Sequence, residues 1–157
     1  MDDDTYSLFR VTEVELVYRS RLKPHERPKV NNSESAYNIL LANWDMNKIE
    51  LVEQFKILLI DHGNRCLGIS DISTGGVAAC IADPKIIMSI ALKARASGIV
   101  LAHNHPSGNI KPSRSDREVT KKLQMAARFF DMDISDHLII NPYHYYSMAD
   151  EGEIYNL

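Results

Sequence analysis

The chain has 157 residues, 45% hydrophobic and 25% charged, with Lys+Arg 18 against Asp+Glu 21 for a formal charge of −3. That length suits one domain able to fold without a disulfide or structural metal, and that balance excludes a strongly basic nucleic-acid binder, though not a local basic patch. The acidic start Met1-Asp2-Asp3-Asp4 gives no secretory leader, and no apolar run escapes charges long enough to span a membrane, so the expectation is a soluble cytoplasmic protein.

Residues 1–30 read as an N-terminal extension. Within it, Phe9, Val11, Leu16 and Tyr18 carry a period-2 pattern over 9–18 that predicts an edge strand. The proline-punctuated Lys23 to Lys29 then predicts a linker. From residue 31 to 157 the pattern is that of one compact domain. Asn31 with Glu34 predicts a capping box and a helix over roughly 34–45, with Tyr37, Leu40, Leu41 and Trp44 on one face. Phe55 to Ile60 and Cys66 to Ile72 are strand-like runs at hairpin distance around Asp61-His62-Gly63-Asn64, and Ser73 to Gly76 reads as a turn. Asp83-Pro84 opens a second helix bearing Ile87, Ile90, Ala91, Ala94 and Ala96, with Gly98 as its stop. Ile99 to Ala102 is a short buried strand, and the polar loop 104–114 leads into a helix over about 116–130. Its buried face would be Val119, Leu123, Ala126, Ala127 and Phe130. Ile134 to Ile140 and Tyr145 to Met148 close the fold as strands. This interleaving predicts an α/β sandwich around a mixed sheet, the hairpin arguing against an all-parallel one.

The chemistry concentrates in Leu101-Ala102-His103-Asn104-His105-Pro106-Ser107-Gly108, followed by Ser113 and Asp116. A strand's period of two sends His103 and His105 to the same side, and Pro106 then ends the ladder. Two imidazoles held so suit a metal such as Zn²⁺, with a carboxylate as third ligand and a fourth position open for water. Asp116 stands at the start of the next helix, where the loop could return it over the histidines. Taken singly, His-x-His is common on surfaces, and Ser113-x-x-Asp116 is a helix-capping pattern. Together, with seven residues between His105 and Ser113, they form a far more specific signature.

That signature resembles the JAMM motif of the JAB/MPN metalloproteases. His-Asn-His-Pro-Ser-Gly, Pro112-Ser113, Asp116 and Asp136-His137-Leu138-Ile139-Ile140 resemble the RadC branch in particular, over about residues 31–150. The resemblance implies a JAB/MPN-like α/β/α sandwich around a mixed, partly antiparallel sheet, with the architecture of cytidine deaminases. It implies a zinc-dependent hydrolase in which His103, His105 and Asp116 hold one Zn²⁺ per chain, other divalent first-row metals remaining open. Glu53 would take a proton from the metal-activated water, and Ser113 would hydrogen-bond the oxyanion of a tetrahedral intermediate. Spacing alone leaves Glu50, Glu53 and Asp61 open as the base; the resemblance selects Glu53. The substrate implied is a peptide or isopeptide bond. Two departures stand out. The chain has no room for the helix-hairpin-helix-like region common in RadC proteins, so no DNA-binding role transfers from it. The family's usual Pro-Arg-Glu before the first core helix is here Pro84-Lys85-Ile86.

Other candidates are weaker. Ser107 lacks a Gly-x-Ser-x-Gly elbow, and no His-x-Glu with Pro-Cys-x-x-Cys signals a zinc deaminase. Cys66 and Cys80 read as buried thiols, His137 as a core or supporting histidine, and His25, His62 and His144 as solvated turn residues. Arg114, Arg117, Lys121, Lys122 and Arg128 read first as one solvated helix face. The alternative function is a DNA- or protein-binding module in DNA repair, replication or mobile-element maintenance, its metal site incidental. The partner expected is a peptide or protein substrate; net charge does not support a nucleic acid, no membrane is implied, and a homo-oligomer stays open.

Overall fold

The computed structural model describes residues 11–15, 17–75 and 82–154. The first helix, α1 (Ser33–Ala42), is capped by Asn32, whose side chain accepts the Ser35 N–H at 2.8 Å. The Ser35 hydroxyl in turn accepts the Asn32 N–H at 3.1 Å. The capping box therefore falls one residue later than Asn31 and Glu34, because serine closes it with its hydroxyl where glutamate was expected. Past the last turn, the Asn43 side chain donates to the Ile39 carbonyl at 2.8 Å. Trp44 lies beyond the helix yet is buried with Tyr37 and Leu40.

Strands β1 (Gln54–Ile60) and β2 (Cys66–Thr74) form the expected antiparallel hairpin, with Ser73 and Thr74 extending the second strand rather than turning it. Gly76 and Cys80 lie outside the described residues. Lys56, buried in β1, is ion-paired with Asp71 across the hairpin and sits over the Trp44 ring. Helix α2 (Pro84–Lys93) starts at Asp83, whose carboxylate accepts the Lys85 N–H at 2.9 Å. It stops at Arg95, not Gly98. Arg95 takes the left-handed conformation (φ 55°), with Arg95 N–H bonded to Leu92 O and Ala96 N–H to Ala91 O, both at 3.0 Å. This is a Schellman motif, closed by the buried pair Ala91 and Ala96. Gly98 instead begins β3 (Gly98–Asn104), where a Cβ would meet Ser135 Oγ at 2.7 Å and Ile60 Cγ1 at 2.8 Å.

Helix α3 (Arg114–Arg128) crosses over from β3 to its parallel neighbour β4 (Asp133–Ile140), and β5 (Tyr145–Ser147) adds antiparallel. The same stop recurs after α3: Asp131 is left-handed (φ 54°), and Met132 N–H reaches Ala127 O at 3.1 Å. Leu123 and Ala127 are buried as expected, whereas Phe130 is exposed because the chain turns away there toward Met132.

The sheet runs β2-β1-β3-β4-β5, antiparallel except for β3 and β4. One face packs Leu58, Val100 and Leu138 against Leu40 and Trp44 of the α1 region. The other packs Ile57 and Leu101 against Ile87 of α2 and Leu123 of α3. The result is the three-layered α/β/α sandwich with a mixed sheet that the sequence implied. The expected strand over 9–18 does not form at its described positions: Val11 and Val14 are each 90% exposed and find no sheet face, while Phe9 and Leu16 lie outside the described residues. Further on, the Cys66 N–H bonds Pro28 O and the Val30 N–H bonds Asn64 O, both at 2.8 Å, so residues 28–30 close the end of β2.

Candidate metal centre

The site lies at the carboxyl end of β3. His103 is its penultimate residue and 1% exposed, and its ring stacks parallel to Phe55 across the β1–β3 pair. One residue beyond the strand, His105 points the same way, as the period of two requires. Their Nε2 atoms face each other at 3.0 Å. After Pro106 the chain turns sharply, the Gly108 N–H bonding His105 O at 2.8 Å with Gly108 at φ 77°, a conformation that glycine adopts without strain. The loop returns the Asn109 carbonyl to His105 Nδ1 at 2.7 Å. A carbonyl only accepts, so His105 carries its proton on Nδ1 and leaves Nε2 to face the centre.

Ser113 caps α3, accepting the Asp116 N–H at 3.1 Å, while Asp116 Oδ2 accepts from both the Ser113 N–H (2.6 Å) and hydroxyl (2.7 Å). The capping pattern and the ligand pattern are thus the same residues. The carboxylate that closes the box also places Oδ1 3.3 Å from His103 Nε2 and Oδ2 3.7 Å from His105 Nε2. Burial would raise the Asp116 carboxyl, but the close approach of the His103 and His105 imidazoles, with the Ser113 hydroxyl, outweighs it and holds the group below the usual carboxylate range. The nearby Asp116 carboxylate in turn raises the His105 imidazole above its ordinary value.

His103, His105 and Asp116 each offer a ligand atom, all within 4.8 Å of one another. Two ligands about 2.0–2.1 Å from a tetrahedral zinc stand roughly 3.3 Å apart. The separations of 3.0, 3.3 and 3.7 Å bracket that figure, so the donor set fits a small divalent metal.

Glu53 precedes β1. Continuing the pairing of Phe55 with His103 by two residues sets Glu53 opposite His105, and its half-buried charge helps raise the His105 imidazole. What holds this segment is Asn104, between the two histidines and fully buried on the opposite face. Its Oδ1 accepts the Gln54 N–H at 2.8 Å, and its Nδ2 donates to Ile49 O at 2.6 Å and Val52 O at 2.9 Å. The two flanking peptide groups of Glu53 are therefore tied to β3.

Two neighbours carry no signal in the ligand motif. His137, fully buried on β4, approaches His103 Nδ1 with Nε2 at 2.8 Å, as befits a supporting rather than ligating histidine. Burial and the adjacent His103 push its imidazole well below the ordinary value. Thr120, buried on α3, touches His137 Nδ1 at 2.6 Å. Sequence reasoning missed it, although position i+4 from Asp116 lies on the same helix face. His25, His62 and His144 are exposed, and Cys66 is a buried free thiol that burial pushes above its ordinary pKa. Arg114 pairs with Glu118 and Arg117 with Glu153, so two of the five basic residues of α3 are already matched by carboxylates.

A mixed-sheet α/β/α sandwich with a His-x-His pair at a strand end, facing an aspartate on the following helix, is the architecture of a JAB/MPN-like domain. The chain belongs to the RadC-like JAB domain family, whose model matches residues 30–153. It is similar to UPF0758 proteins from Flavobacterium johnsoniae (40% identical over 100 residues, covering 64% of this chain and 44% of that one). The corresponding protein of Porphyromonas gingivalis is 41% identical over 101 residues, 64% and 44% of the two chains. That of Thermosynechococcus vestitus is 33% identical over 136 residues, 85% and 52%. The chain spans about half the length of the curated relatives it matches. Among the described residues no helix is long and apolar enough to cross a membrane.

Proposed function

We propose that this domain is a metal-dependent hydrolase, with one zinc held by His103, His105 and Asp116, that cleaves a peptide or isopeptide bond. The observation that carries the reading is the convergence of two Nε2 atoms and a carboxylate within 4.8 Å, beside a half-buried glutamate on a pinned segment. When bound, such a metal supplies Lewis acidity and lowers the pKa of water toward ~7. Glu53 accepts the proton of the attacking water and returns it to the leaving amine, a general-base contribution of about 10²–10⁴. Ser113 turns its hydroxyl from Asp116 Oδ2 to the developing oxyanion. Its backbone N–H, 2.6 Å from the same oxygen, keeps Asp116 oriented while it does so. Phe55, stacked on His103, excludes water from the inner side of the centre.

The test combines metal content with cleavage of a peptide library. The wild-type protein should hold about one zinc, and His103→Ala or Asp116→Ala should lose most of it. Glu53→Gln should keep the metal and lose cleavage at least a hundredfold. Unchanged metal in the ligand variants would overturn the ligand assignment. DNA binding that survives chelation, with no metal-dependent cleavage, would favour a binding module over an enzyme.

A further inference from the structure

We propose that His137 and Thr120 are positioning residues for His103, joined in a one-way hydrogen-bond chain that runs from the ring of His103 to the helix bearing Asp116. The chain is His103 Nδ1 to His137 Nε2 at 2.8 Å, His137 Nδ1 to Thr120 Oγ1 at 2.6 Å, and Thr120 Oγ1 to Asp116 O at 2.6 Å.

Proton counting fixes its direction, starting from the far end. A carbonyl oxygen brings no proton, so the short contact with Asp116 O uses the single hydroxyl proton of Thr120. The more distant Met148 Sδ, at 3.7 Å, is a weaker acceptor and does not compete. Thr120 is then only an acceptor toward His137, whose Nδ1 must carry the proton. His137 is completely buried, and its two ring nitrogens contact an imidazole and a hydroxyl, with no carboxylate hydrogen-bonded to either. Being neutral, it has a bare Nε2, which accepts from His103 Nδ1–H. With Nδ1–H committed to His137, His103 turns Nε2 to Asp116 and His105.

This inference rests on reading those three residues as ligands, and it adds two things to that reading. The ring nitrogen that His103 turns to the ligand cluster is set before any metal arrives. The two elements that supply ligands, β3 and α3, are also joined through β4, so a shift of the helix is transmitted to the imidazole. His105 reaches the same arrangement by a different device, the Asn109 carbonyl.

The experiment is long-range ¹H–¹⁵N NMR of histidine-labelled protein, with zinc affinity measured by competition against a chromophoric chelator. In the metal-free wild type His137 should show the Nδ1–H tautomer and His103 should carry a proton on Nδ1; His137 in the Nε2–H form, or His103 without a proton on Nδ1, would overturn the chain. Thr120→Val, nearly isosteric, should mix the tautomers and weaken zinc binding by about 10–100-fold. Thr120→Ser, which keeps the hydroxyl, should restore both. Equal affinity in the wild type and a folded Thr120→Val would overturn the positioning role. Should the valine variant fail to fold, the wild-type spectrum and the serine variant still decide. A wild-type protein that binds no zinc would sink the ligand reading itself, while its tautomers continue to judge the chain.

Discussion

Asp116 does two jobs with one carboxylate: it closes the capping box of α3 and faces both imidazoles. The sequence made both roles readable because motif and cap are local, spanning fourteen consecutive positions from His103 to Asp116. Thr120 and His137 were less legible. Their roles depend on which turn of α3 meets which register of β4, and no local pattern encodes that. A second carboxylate shows how the helix is held from outside. Glu153 takes the Arg117 guanidinium through both oxygens (2.5 and 3.0 Å) and accepts the Tyr146 hydroxyl at 2.5 Å. Arg117 above all, then Tyr146, outweighs burial and holds the Glu153 carboxyl below its ordinary value near 4.5. A depressed carboxylate contributes stability above its unfolded pKa and loses it as pH falls through the folded one. Glu153→Gln should therefore lower Tm by about 1–3 °C at pH 7, and that gap should close as the pH drops below 4.5. Thermal unfolding of both proteins across that range checks it; a gap that widens in acid would refute it.

At the scale of elements, α2 and α3 deliver the chain to the two parallel strands through the same stop, with Arg95 and Asp131 in the left-handed conformation. The sequence offered Gly98 as the first of these stops because glycine is the usual residue there. The glycine is instead required by close packing at the head of β3, a tertiary demand invisible in a local pattern. Arg95→Gly should stabilise the domain by about 0.5–1 kcal/mol, since its left-handed backbone suits glycine. Gly98→Ala should destabilise it by about 1–3 kcal/mol, because the new methyl meets the buried Ile60. Urea unfolding of the two variants measures both; destabilisation by the first or neutrality of the second would contradict this account. The hairpin and the central strands, by contrast, were legible because their apolar runs are long and bounded by turn residues.

Across the whole molecule, the packed unit reaches back to Pro28, since Val30 is buried and residues 28–30 pair with the end of β2. Removal of residues 1–22 should leave unfolding nearly unchanged. Removal of 1–30 should cost about 2–4 kcal/mol, from one buried valine and the lost backbone bonds. Equal stability of the two truncated proteins would show that the pairing at β2 carries no weight. The sheet itself separates two functions: its α3 face carries the imidazoles, and its α1 face carries the side chain of Asn104. Because that side chain grips the peptide groups on both sides of Glu53, losing it should resemble a lesion of Glu53 while leaving the metal in place. The two residues would then be epistatic, with Glu53→Gln/Asn104→Ala turning over no more slowly than Glu53→Gln alone. On the proposed reading, an alanine scan of His-Asn-His that scored activity only would assign three equivalent residues to a motif that contains two ligands and a latch.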